Sequence, residues 1–110
     1  MNFRTTNEFE KDFKKLFKKF RSLKSDLLEF KKIVNKFPLG IGKHFIILTK
    51  TEGITIIKAR FFCKSLKGKN LRIIYAFYRQ EGKVEFVEVY FKGKKEREDK
   101  KRIEKCLRNE

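Results

Sequence analysis

The chain has 110 residues, with 30 lysines and arginines against 14 aspartates and glutamates and a single histidine, a formal charge of +16 at pH 7. Apolar residues make up 40% of it and phenylalanine alone contributes 13, which separates it from disordered chains that combine high charge with few apolar residues. No apolar stretch approaches the roughly 18 residues of a membrane span and the opening MNFRTTNEFEKDF lacks the apolar run of a signal peptide, so one domain over residues 1–110, cytoplasmic and without membrane contact, is expected.

The charge is spread along the chain. Residues 1–37 carry 11 basic and 5 acidic side chains, residues 38–92 carry 11 and 4, and residues 93–110 carry 8 and 5. A basic tail on a neutral body would concentrate the excess at one end; here the body itself is expected to meet a polyanion. Cys63 and Cys106 show neither a CxxC spacing nor a nearby histidine, which predicts reduced thiols and gives no support for zinc.

In chain order, Thr5-Thr6-Asn7-Glu8 offers a capping box ahead of Phe9, Phe13, Leu16, Phe17 and Phe20, whose helical spacing predicts an amphipathic helix over residues 6–21 with its lysines facing out. Ser22 and Ser25 then supply hydroxyl caps for a second helix carrying Leu27, Phe30, Val34 and Phe37. Pro38, Gly40 and Gly42 end it. From residue 43 the period changes to two. HFIILTK, a turn at Thr51-Glu52-Gly53, and ITIIKARFFC read as a hairpin, with Ile57, Ala59, Phe61 and Cys63 on one face and Ile56, Lys58, Arg60 and Phe62 on the other. A basic loop over residues 64–70 leads to LRIIYAFYR, where Arg72, Ile74, Ala76 and Tyr78 share a face. A turn at residues 80–83 leads to VEFVEVYFK, with Val87, Val89 and Phe91 expected on one side and Glu88, Tyr90 and Lys92 on the other. The charged close KKEREDKKRIEKCL has Ile103, Cys106 and Leu107 to dock a short helix. The fold expected is α+β: an N-terminal helical hairpin packed on a four-stranded, largely antiparallel sheet, with a short C-terminal helix.

The FEKDFKKL opening helix, the KAR strand, the LRIIYAF strand and the ending VEVYFKGKKERED together resemble the RelE/ParE superfamily of toxins from type II toxin–antitoxin modules, over nearly the whole chain. The resemblance to RelE-like members implies an mRNA interferase, a ribosome-dependent endoribonuclease acting on translated mRNA, with a cognate acidic antitoxin that covers the basic sheet face. The resemblance to ParE-like members implies a DNA gyrase inhibitor instead; a basic RNA-binding module without catalysis is the third possibility. Carried over position by position, the RelE-like pattern puts Lys58 and Arg60 at the second-strand cations, Arg72 at the third-strand arginine and Lys95 where a family member has arginine. Ile56 stands where lysine can occur, and the tyrosine that some members carry on the last helix has no counterpart among Lys100 and Lys101.

Metal-free RNA cleavage needs a base for the 2′-OH proton, cations for the phosphorane and an acid for the 5′-oxygen. No carboxylate cluster or DxD pattern is present, so no metal and no cofactor is expected. Lys58 is the candidate base, on the expectation that neighbouring cations depress its pKa; Arg72, assisted by Arg60, clamps the phosphate, and Lys92, Lys95 and Tyr90 are alternative acids. Glu88 fits equally a base or an ion-pair partner, and His44 is read as structural or exposed. Lys64, Lys67, Lys69 and Lys94 are expected to touch the RNA backbone without reading sequence.

Overall fold

A computed structural model describes residues 1–67 and 70–108. Two helices, α1 (Asn7–Lys19) and α2 (Leu23–Lys36), follow a short strand β1 (Asn2–Thr5). Four longer strands come next, β2 (Phe45–Lys50), β3 (Ile54–Phe62), β4 (Asn70–Tyr78) and β5 (Lys83–Phe91), and α3 (Lys100–Arg108) closes the described chain. The sheet therefore has five strands, in the order β1-β5-β4-β3-β2, where four were expected. The hairpins about Gly53 and Gly82 are antiparallel as expected, whereas β1 runs parallel to β5, with Phe3 opposite Val84. β1 escapes a reading of periodicity because it is four residues long with one apolar side chain, Phe3, and finds its partner only at the far end of the chain. Once there, Phe3 stacks on Phe86 at 5.9 Å. No helix among the described residues is long and apolar enough to cross a membrane.

Local chemistry places the helices with small corrections. Thr6, one residue later than expected, caps α1 by accepting from the Phe9 amide at 3.0 Å, while the Thr5 hydroxyl donates to Glu10 Oε1 at 3.1 Å. Ser22 donates to Asp26 at 2.7 Å, and Asp26, though 4% exposed, also accepts from the Lys64 amide at 3.1 Å, which ties the start of α2 to the loop after β3. Beyond α2, Gly40 adopts φ +89° beneath Phe45, where any Cβ would collide with the phenylalanine side chain.

Both faces of the sheet are used, unequally. Against the helices, Phe9, Leu23, Phe30 and Val34 pack on Ile57, Ala59, Phe61, Leu71, Ile73, Tyr75, Val84, Phe86 and Val89. Phe30 touches the rings of Phe45, Phe61, Tyr75 and Phe86, so it is the centre of this core. On the opposite face α3 covers the end nearest the two hairpin turns, with Ile103 and Cys106 on Ile54, Ile56, Ile74, Ala76, Val87 and Tyr90. Val87 was expected beside Val89. A register shift in β5 pairs Ile74 with Glu88 but Tyr75 with Phe86, which leaves Val87 unmatched and turns it towards α3. Cys63 and Cys106 are free thiols in the two separate cores, and burial pushes Cys106 up to about 11.

One residue clamps α3 in place. Arg102 donates to both oxygens of Asp12 on α1, at 2.6 and 3.2 Å, and to the Val87 carbonyl at 3.2 Å; Asp12 also accepts from the Val89 amide at 3.3 Å. Removing the guanidinium leaves a half-buried carboxylate with one weak donor. Arg102→Met is therefore expected to lower stability by about 2 kcal/mol, between the ranges for exposed and buried ion pairs, and to speed amide exchange in α3 more than in β3 and β4. Urea unfolding together with hydrogen exchange measures both.

Candidate functional site

The end of the sheet that α3 leaves uncovered carries the cations. β-pairing sets Arg60 directly opposite Arg72, and Arg72 opposite Tyr90. On the other side the Arg60 amide donates to the His44 carbonyl at 3.0 Å, which completes a row of His44, Arg60, Arg72 and Tyr90 across the sheet. The adjacent row, one residue pair along, is Ile46, Lys58, Ile74 and Glu88. Alternation puts Lys58 and Arg60 on the same face, so three strands bring Lys58, Arg60 and Arg72 together as expected. With Lys43, His44, Ile46, Ala59 and Lys92 they line a cleft of about 160 Å³.

Like charges opposite one another in a sheet are unfavourable. Among the described residues, neither Arg60 nor Arg72 pairs with a carboxylate. Arg72 donates to the side-chain oxygen of Asn70 and, at 3.5 Å, to the Leu71 carbonyl. Lys58 differs, because its ammonium donates to Glu98 Oε1 at 3.0 Å.

Glu98 arrives there through a second carboxylate. Glu88, 1% exposed, accepts from the Asp99 amide at 2.8 Å and from the Lys95 ammonium, so residues 93–99 fold back over the sheet and deliver Glu98 to Lys58. This decides the protonation of the site. Burial alone would lower the Lys58 pKa, but the hydrogen bond and charge of Glu98, with Tyr90 beside them, outweigh it and the pKa is raised, opposite to the expected depression. Glu98 is opposed by burial too, yet its backbone bond and Lys58 hold it below the usual carboxylate range. Burial, against the pull of Lys58, pushes the Tyr90 phenol up. The Tyr90 hydroxyl is buried without a hydrogen-bond partner among the described residues, and the Lys95 ammonium lies 5.5 Å from its ring centre.

The other candidates lie at different places. Lys92 lines the cleft; Lys95 is engaged by Glu88. Lys94 faces Lys19 at the end of α1, where its side-chain contact and charge lower the Lys19 pKa, so it points away from the cleft. Lys64 opens a 3-10 turn, Lys64–Leu66, and its amide is bonded to Asp26 near the start of α2; Lys67 follows with φ 27°. Lys69 lies outside the described residues. Lys43, His44 and Glu98 were missed. Counting back regularly from the β2–β3 turn sets His44 opposite Phe61; the irregularity between Ile47 and Thr49 moves the pairing by one residue and brings His44 opposite Arg60. Glu98 is delivered by a loop, for which no periodic signal exists. Among the described residues no three His, Cys, Asp or Glu side chains stand close enough to hold a metal ion.

No protein-family model and no curated protein matches this sequence. Among solved structures it is similar to a chain of the archaeal RelE-RelB complex from Pyrococcus horikoshii OT3, with a TM-score of 0.66 and 18% identity over 84% of this chain and 94% of that chain. At that identity the likeness concerns the path of the backbone, and what it establishes is that this chain has a RelE-like fold.

Proposed function

We propose that the chain is the toxin of a toxin–antitoxin module and that its uncovered cationic face binds and cuts mRNA within the ribosome, an acidic antitoxin covering the same face when the toxin is held silent. The observation that carries the reading is the Arg60–Arg72 pair, two arginines set opposite each other by the strand register in a cleft, with no carboxylate on either among the described residues. Such a pair is unfavourable by itself and becomes favourable when a phosphate accepts from both forks. The backbone shared with a chain of a RelE-RelB complex supports the same reading.

In this mechanism Arg72 and Arg60 bind the scissile phosphate and take up the charge of the phosphorane. The 2′-oxygen of the preceding ribose attacks phosphorus, its proton passes to the base, and the P–O5′ bond breaks with a proton returned to the leaving oxygen. The products are a 2′,3′-cyclic phosphate and a 5′-hydroxyl. Lys58 becomes a base only after Glu98 withdraws, since the carboxylate keeps its ammonium charged; beside Arg60, Arg72 and a departed Glu98 its pKa falls. Lys92 serves as the acid, because it lines the cleft while Lys95 is engaged by Glu88 and the Tyr90 hydroxyl is buried.

Induced alone in a bacterial host, the protein is expected to arrest growth with translated mRNAs cut inside codons, and mapping of mRNA ends with and without ribosomes tests this. Growth arrest with gyrase-linked DNA damage and intact mRNA would refute it. Arg72→Ala should lower the rate of cleavage by about 10²–10³-fold, the loss expected for one donor to a transition-state oxyanion.

A second prediction follows from the raised Lys58 pKa. Glu98→Gln removes the partner that stabilises the ammonium, so the neutral base is reached at lower pH and the ascending limb of the pH–rate profile moves to the acid side. Cleavage on mRNA-programmed ribosomes at sub-saturating concentration across pH, which reports the free toxin with its Lys58–Glu98 pair intact, measures the displacement; an unmoved limb there excludes Lys58 as the base.

A further inference from the structure

Phe61 and Phe62 are consecutive on β3 and have opposite fates. Phe61 is 1% exposed in the helix-side core, and alternation turns Phe62 to the cationic face, where 58% of it is exposed. A single exposed phenylalanine is ordinary. The surroundings of this one are not. It follows Arg60 by two residues on the same face, roughly 7 Å along the strand, the scale of one nucleotide. The His44 ring meets it edge-on, with centroids 5.4 Å apart and planes at 86°, and His44 also lines the cleft. His44 Nδ1 is buried with no hydrogen-bond partner among the described residues, so the imidazole holds its place as a ring rather than through a polar bond. Across the ladder Phe62 faces Asn70, whose side-chain oxygen is taken by Arg72, leaving the two amide N–H groups as donors.

We propose that Phe62, buttressed by His44, is a stacking shelf for a nucleobase of single-stranded RNA, the base of the nucleotide whose phosphate is held by Arg60 and Arg72. The inference rests on the reading of the cleft as an RNA site and adds to it a base-binding position. The chemistry agrees on three counts. A base stacked on the exposed Phe62 face removes apolar surface from water on both partners. Cations alone would hold any strand in any register, whereas a ring at a fixed distance from the phosphate site fixes which nucleotide is cut. Asn70, across the ladder from Phe62 and beside the cleft, offers amide donors that a base edge could accept from.

The test is fluorescence anisotropy of a labelled, uncleavable 2′-O-methyl oligoribonucleotide and of an abasic strand of the same length, titrated with wild type, Phe62→Leu, Phe62→Tyr and Arg72→Ala. Phe62→Leu keeps an apolar side chain and removes the π-face. It is expected to weaken binding of the intact strand roughly tenfold while binding the abasic strand as wild type does, with the salt dependence of affinity unchanged because no phosphate contact is lost. Phe62→Tyr should bind as wild type. Arg72→Ala should weaken both strands and flatten the salt dependence. The shelf is overturned if Phe62→Leu binds the intact strand undiminished, or loses equally on both strands. If wild type binds neither strand, the RNA reading falls and the shelf with it; binding of both strands with no Phe62 effect removes the shelf alone.

Discussion

A buried carboxylate organises the basic end of this sheet. Glu88 is 1% exposed on a chain of formal charge +16, and an unpaired charge at that depth would be prohibitively costly. Both of its oxygens are used, one by the Asp99 amide and one by the Lys95 ammonium. Satisfying Glu88 forces residues 93–99 to turn back across the sheet as β5 ends. Asp99 is thereby placed to accept from the Lys101 and Arg102 amides at the start of α3, and Arg102 to reach Asp12 on α1. Glu98, next to Asp99, lands on Lys58. The position of α3, the limit of the uncovered cleft and the charge state of Lys58 thus share one cause.

The irregularity in β5 works with it. Because the register shifts at Ile74/Tyr75, Phe86 and Val89 both face the helices while Val87 and Tyr90 face α3. A regular strand would give one of these faces an alternating set and strand Val87 in the wrong core. The shift lets one strand serve a core on each side near the hairpin turns, and then releases the far end of the opposite face for Arg72, Tyr90 and Lys58 to gather.

Much of the cationic face was legible because period-two alternation is a local property. In ITIIKARFFC the alternation separates Ile57, Ala59 and Phe61 from Lys58 and Arg60, and the short turns about Gly53 and Gly82 predict which strands pair. The same reasoning put Arg72 beside them. What stayed hidden depends on partners distant in sequence or on single inserted residues: β1 against β5, the two register shifts, and the return of residues 93–99. Lys58 shows the consequence. Its cationic neighbours were visible in the sequence, and they argue for a lowered pKa; the carboxylate that reverses the sign comes from a loop 40 residues later.

The fold tolerates this concentration of positive charge because the energies are unequal. Like charges opposite one another in a sheet cost a fraction of 1 kcal/mol to about 1 kcal/mol in water, whereas full burial of one phenylalanine side chain contributes roughly 1.5–3 kcal/mol. The ring cluster of Phe9, Phe30, Phe61 and Phe86 therefore outweighs the repulsion of Arg60 and Arg72 with a margin. Glu98 neutralises Lys58 from within the chain, and the two arginines stay uncompensated. An anion entering the cleft meets two different conditions: guanidiniums with no carboxylate on them among the described residues, and an ammonium that must first exchange an internal carboxylate for it. On the proposed reading, binding and activation of the base would be separate steps, since a phosphate could engage Arg60 and Arg72 before Lys58 is released.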